Sequence, residues 1–164
     1  MNQTINFALQ ILILSISGLA FTAQAEGLSS VQDFRIEAKE SSEIQAPILV
    51  LFMSTSCPYC EIALQDFLLP MQRDPEYKNK VILRQIEIGS AEKLVDFNGK
   101  ITSQSAFARA RKIGAVPTVM LFDSKGQVLT SIVGLLTVDF YLAYLDNAIN
   151  DSQAKIKAAV QQRQ

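Results

Sequence analysis

The chain contains no histidine and no tryptophan. The first absence removes a whole class of chemistry. Without imidazole there is no Ser–His or Cys–His nucleophilic catalysis and no imidazole-ligated metal. An excess of charge of one sign is also lacking: 15 basic and 16 acidic side chains leave a net charge of -1. Such a balance provides no basic face, so nucleic acid is not an expected partner. Cysteine is scarce, with 2 in the chain. A tetrathiolate iron–sulfur or zinc site needs four sulfurs, which one copy of this chain does not hold. No cofactor is therefore expected. Internal repeats and low-complexity linkers are missing as well. The 164 residues suffice for one domain with a real core.

Charged side chains are absent from residues 1–25. Within that stretch Phe7 to Phe21 is strongly apolar, and Ala23-Gln24-Ala25 is a small-x-small cleavage pattern just before Glu26, the first charge. This reads as a secretory signal peptide over 1–25, with a periplasmic destination for the mature chain. An uncleaved anchor is the alternative, but the apolar run is shorter than the roughly 20 residues a spanning helix needs. The mature form is expected not to span a membrane.

What is present is concentrated in one motif. Both cysteines fall in Cys57-Pro58-Tyr59-Cys60, straight after the apolar run Ile48 to Met53. A strand ending at Cys-x-x-Cys and followed by helix-forming sequence is the layout of a thiol–disulfide site. In an exported protein a lone cysteine pair is usually structural. A bridge between Cys57 and Cys60 closes so short a loop, however, that it would gain the least chain entropy of any placement.

The remaining pattern supplies the frame. Residues 26–46 form a lead segment in which Ser30 with Asp33 caps a helix over Val31, Phe34 and Ala38. Ile48 to Met53 has the character of a central strand. A helix then runs from Pro58 over Ala63, Leu64, Phe67 and Leu68, to be bent or ended by Pro70. Val81 to Ile88 is a second strand and Asn98-Gly99 a tight turn. Ser103 caps a helix over Phe107, Ala108, Ala110 and Ile113, with Gly114 as its stop. Thr118 to Phe122 and Gln127 to Val133 form a hairpin about Asp123-Ser124-Lys125-Gly126. Thr137 caps a last helix whose apolar face is Phe140, Leu142, Leu145 and Ile149. Residues 151–164 are a polar helical extension or frayed tail. Arg109-Ala110-Arg111-Lys112 reads as a solvated helix end, where cations are favourable. The order α, β, α, β, α, β, β, α predicts a three-layer α/β/α sandwich with a mixed central sheet over residues 47–150.

Three stretches, in this order and spacing, carry a resemblance: Leu51-Phe52 leading to Cys57-Pro58-Tyr59-Cys60; Ile113-Gly114-Ala115-Val116-Pro117-Thr118 leading to Leu121-Phe122; and Val133-Gly134 ahead of the last helix. The chain resembles the thioredoxin superfamily, and most of all its exported bacterial thioredoxin-like members. The resemblance implies that Val116-Pro117 is a cis peptide bond packed against the dithiol; a trans proline opening an edge strand is the alternative. Several features depart from thioredoxins. Leu51 stands where they carry a buried Asp that assists proton removal from the second thiol, which leaves Glu87 as a substitute acceptor. Pro-Tyr between the cysteines is similar to glutaredoxins and to some periplasmic disulfide-handling proteins. Ser56 replaces the aromatic before the first cysteine, and the usual opening strand is not evident.

Roles follow. Cys57, at a helix N-terminus, is expected to be the nucleophile, and Cys60, one turn on and more buried, the resolving thiol. Val116 and Pro117 would bind an extended substrate segment through the backbone. Tyr59 either presents its ring at the entrance or is a partly buried helix residue without a recognition role. With no cation between the cysteines, the expected potential lies between roughly −270 and −180 mV. The reading is an exported thiol–disulfide oxidoreductase, a reductase or electron shuttle, acting on protein thiols and disulfides. It is expected to be monomeric and recharged by an inner-membrane electron donor. Two other readings stay open: a glutaredoxin-like module holding an iron–sulfur cluster between two subunits, and a partner-binding thioredoxin-fold module without turnover.

Overall fold

Ile48 to Met53 is buried at every residue and forms the strand β1 (Ile48–Met53). In the computed structural model, which describes residues 27–135 and 137–162, β1 is an inner strand of a four-stranded sheet of order β2-β1-β5-β6. Here β2 is Ile82–Glu87, β5 is Thr118–Phe122 and β6 is Val128–Val133. β1 and β2 are parallel, with Met53 opposite Glu87; β1–β5 and β5–β6 are antiparallel. The pleat sends alternate residues of β1 to opposite faces. Ile48, Val50 and Phe52 join one apolar cluster with Phe34, Phe107 and Phe122, and Leu49, Leu51 and Met53 join another with Cys60, Leu68, Tyr141 and Leu145. Two cores on the two faces of one mixed sheet make the three-layer thioredoxin-like sandwich. The leader read over residues 1–25 lies outside the described residues, and among those described no helix is long and apolar enough to cross a membrane.

The helices account for both faces. α1 (Phe34–Ile44) is capped by Asp33 alone, whose carboxylate accepts from the Arg35 N–H at 3.0 Å; Ser30 instead bridges to Gln85 of β2. The Val31 N–H donates to the Gln85 carbonyl and the Gln85 N–H to the Ser29 carbonyl, so a vestige of an opening strand runs beside β2. After α2 (Pro58–Ile62) the helix continues through a π-helical stretch, Ala63–Leu68, into α3 (Leu69–Arg73). Pro70 therefore does not end it. The wider turn, in which the Leu69 N–H reaches back to the Leu64 carbonyl, makes room for a residue with no N–H to give.

Several expectations need correction. A hairpin of β3 (Lys93–Val95) and β4 (Ile101–Ser103), turning at Gly99 with φ +81, precedes α4 (Gln104–Ala110). Its three-residue strands are too short to show a period. α4 stops on Lys112, not Gly114: Lys112 has φ 57, and the Ile113 N–H donates to the Ala108 carbonyl and that of Lys112 to Arg109. Those bonds form a Schellman end, closed by packing of Ile113 against the cluster that holds Ala108. Arg111 is not a solvated charge. Its guanidinium lies 4.9 Å from the Phe107 ring centroid and 5.0 Å from that of Phe122, and donates to the Gly126 carbonyl at 3.2 Å. On α5 (Val138–Gln161) the buried face is Tyr141, Leu145, Ala148, Ile149 and Ser152, whereas Phe140 and Leu142 are exposed. Thr137 precedes α5 without a side-chain cap. The polar segment after Asp151 is helical as far as Gln161.

Candidate active site

The C-terminal ends of β1 and β2 lie side by side, and the chain leaving β1 turns at Ser54–Ser56 into Cys57. The Cys57 N–H donates to the Ser54 carbonyl at 3.0 Å, which closes the turn. Cys57 is the N-cap of α2, extended at φ -104 and ψ 107, and Pro58 follows in the first turn, where its missing N–H is no loss. As cap, its Sγ accepts from the Cys60 N–H at 3.2 Å. A sulfur so placed lies at the N-terminal end of the helix, beside its free backbone donors.

Cys57 is half-buried and Cys60 fully buried, and the two are not bonded to each other. The Cys60 thiol is pushed up to about 12. Burial is the main cause, followed by its hydrogen bond with Cys57; a backbone hydrogen bond at Ser54 pulls it back, and the charges of Cys57 and Glu87 push it further. Glu87 ends β2 beside Met53, and its carboxylate accepts from the Thr55 N–H at 2.8 Å and the Gly89 N–H at 3.2 Å. It therefore braces the loop that delivers Cys57 and also acts on Cys60 through space. The backbone of Glu87 is fixed in turn by buried Gln104, whose Oε1 accepts from the Glu87 N–H at 2.8 Å.

The second half of the site comes from the far end of the chain. The Val116–Pro117 bond is cis. The Val116 carbonyl accepts from the Cys57 thiol at 3.7 Å, and Pro117 is buried. Thr118 Oγ1 donates to the Ala115 carbonyl at 2.7 Å and the Gly134 N–H to the Pro117 carbonyl at 2.7 Å, so the turn is tied at both sides. Cys57, Cys60, Val116 and Pro117 are thus gathered into one place. Tyr59, on α2 between the two cysteines, is 62% exposed and not partly buried.

Two residues at the site escape the sequence reading. Leu135, next to Gly134, is partly buried and packs against the cluster that holds Cys60, as Cys57 and Val116 also do. A leucine straight after Gly134 was the available signal. Tyr141 lies inside that cluster, and nothing in an α5 pattern read around Phe140 and Leu142 points to it.

Comparison of the sequence with curated proteins gives no match. Among solved structures, mitochondrial thioredoxin 3 from Saccharomyces cerevisiae in its oxidised form is similar, with TM-score 0.51 and 17% identity over 76% of this chain and 94% of that one. A thioredoxin-fold protein from Helicobacter pylori aligns with TM-score 0.47 and 19% identity over 72% of this chain and 84% of its own. Likenesses at these identities concern the fold. The profile of the thioredoxin-like domain matches residues 34–149, most of the chain, from α1 to α5, and on that match the chain belongs to the thioredoxin-like family.

Proposed function

We propose that this chain is an exported thiol–disulfide oxidoreductase that exchanges electrons with protein disulfides through Cys57 and Cys60, working as a reductase or electron shuttle. The observation that carries the reading is the asymmetry of the pair. Cys57 is half-exposed at a helix N-terminus, and Cys60, one turn on, is buried and held as a neutral thiol. Only one of the two is presented to a substrate.

The cycle follows from that asymmetry. Cys57 thiolate attacks a substrate disulfide; a Cys57–substrate bond forms and the substrate's other sulfur leaves as a thiolate that takes up a proton. Cys57 then carries no charge, so two of the influences that hold Cys60 up, the Cys57 hydrogen bond and the Cys57 charge, are gone. Cys60 loses its proton more readily at the moment it is needed. It attacks Cys57 Sγ, the Cys57–Cys60 bond forms, and the second substrate sulfur departs and is protonated. Two electrons have moved from dithiol to substrate. An extended substrate segment would lie along Val116 and Pro117, with Tyr59 and Leu135 offering apolar contact. Recharging requires a dithiol donor, and the proposed donor is an inner-membrane protein.

Trapping tests the reading. A tagged Cys60→Ala variant, expressed with its leader, should accumulate mixed disulfides through Cys57 with exported proteins and with the donor. Recovery of no adducts sensitive to reductant, together with full biological activity of Cys57→Ala, would favour a partner-binding module without turnover.

A further inference from the structure

The resolving step poses a problem that the two cysteines do not solve. Cys60 must give up a proton inside an apolar cluster that includes Leu49, Leu51, Ala63 and Leu64. Among the described residues, Cys57 from the head of α2 and Glu87 from the end of β2 act on it, and its own charge acts on Tyr141 of α5. The negative charge of Glu87 opposes a thiolate at Cys60. Stabilisation has to come from a donor.

Tyr141 of α5 has the chemistry of such a donor and lies in the same cluster. It is 1% exposed and shares the Cys60 cluster. Its ring meets Phe67 edge-on, centroids 5.0 Å apart, and Phe67 lies two helical turns beyond Cys60. Its hydroxyl is buried without a hydrogen-bond partner. A buried hydroxyl left unpaired is a standing cost that a phenylalanine at the same place would avoid. Burial, and then the neighbouring Cys60 charge, push the phenol up to about 12. At working pH it keeps its proton and is available as a donor.

Building on the thiol–disulfide reading above, we infer that Tyr141 is a positioning residue for the resolving step: its phenolic O–H turns to the Cys60 sulfur when that sulfur becomes a thiolate, and supplies from α5 the support that Leu51 cannot supply from β1. The proton itself leaves to solvent and is matched by the one the departing substrate thiolate takes up. The phenol keeps its own, and Cys60 attacks Cys57 Sγ as before.

The experiment separates capture from release with a chromogenic aromatic disulfide, which liberates one coloured thiol when Cys57 attacks and a second when Cys60 resolves. Wild-type protein should give both phases. Absence of the second phase in wild type would overturn the dithiol reading itself. In Tyr141→Phe, capture should match wild type, and release at neutral pH should slow about ten-fold, the loss of one charge-assisted hydrogen bond. The deficit should shrink as the pH rises into the range where Cys60 ionises unaided. Thermal unfolding of Tyr141→Phe should be no easier than that of wild type. Release at the wild-type rate, a deficit constant with pH, or an equal slowing of capture would each overturn the role of Tyr141 while leaving the dithiol reading standing.

Discussion

Leu51 sits in the middle of β1, fully buried, with Gln85 on one side and Val119 on the other. A carboxylate there would be fully buried and would need a partner or a raised pKa. The site instead puts its carboxylate at the rim. Glu87 is tied to two backbone N–H groups and acts on Cys60 by charge. The sign of its effect is fixed: a nearby anion disfavours the thiolate and raises the Cys60 pKa, so Glu87→Gln should lower it. Titration of the carbon-13 shift of labelled Cys60 Cβ, in a Cys57→Ser background with and without Glu87→Gln, reads this directly. A lower midpoint is expected; an unchanged or higher one would show that the charge of Glu87 does not reach Cys60. At this scale the cysteine pair at the head of α2 was legible because Cys57-Pro58-Tyr59-Cys60 holds all the sulfur the cysteines provide. Tyr141 was not legible. An isolated tyrosine on an amphipathic helix carries no signal until the buried face of that helix is known.

Elements were legible where the pattern was long or punctuated. β1 is a continuous apolar run, Ser103 caps α4 by accepting from the Ala106 N–H, and Asp123 to Gly126 makes the expected turn. Short or unpunctuated pieces were not. β3 and β4 have three residues each, and the π-helical turn before Pro70 has no composition of its own. The end of α4 shows why glycine misleads as a marker. Gly114 invites the reading of a stop, yet the left-handed position is Lys112. Lys112→Gly should therefore stabilise the protein by about 1 kcal/mol, since it removes the penalty of a Cβ in that conformation. Gly126 is the opposite case. It has φ +76, and an added Cβ would lie 2.5 Å from Phe97 Cγ, in a ring stacked on Phe34. Gly126→Ala should cost about 3 kcal/mol from backbone strain and overpacking together. Denaturant midpoints of the two variants, with wild type between them, check both signs. Equal midpoints would mean that these turns do not limit stability.

Across the whole molecule, two distant parts of the chain meet at one sulfur. The turn after β1 sets Cys57 on a helix end, and the segment before β5 brings the Val116 carbonyl to it. The sheet order makes this meeting unavoidable, because β5 pairs with β1 in the register Phe52–Thr118. That arrangement was legible in outline from the three spaced stretches that resemble thioredoxins, since each falls at the end of a strand or the head of a helix. What they could not show was how the layers close: that the lead segment joins the sheet through Ser30 and Gln85, and that Arg111 lies over the phenylalanine rings instead of facing water. The proposed role of this framework is a two-electron exchange at Cys57, and reduction of insulin by dithiothreitol, followed by turbidity, tests that exchange most directly. Catalytic amounts of the wild-type protein should shorten the lag and steepen the rise, and Cys57→Ala should match buffer. A wild-type trace that coincides with buffer would contradict the assignment.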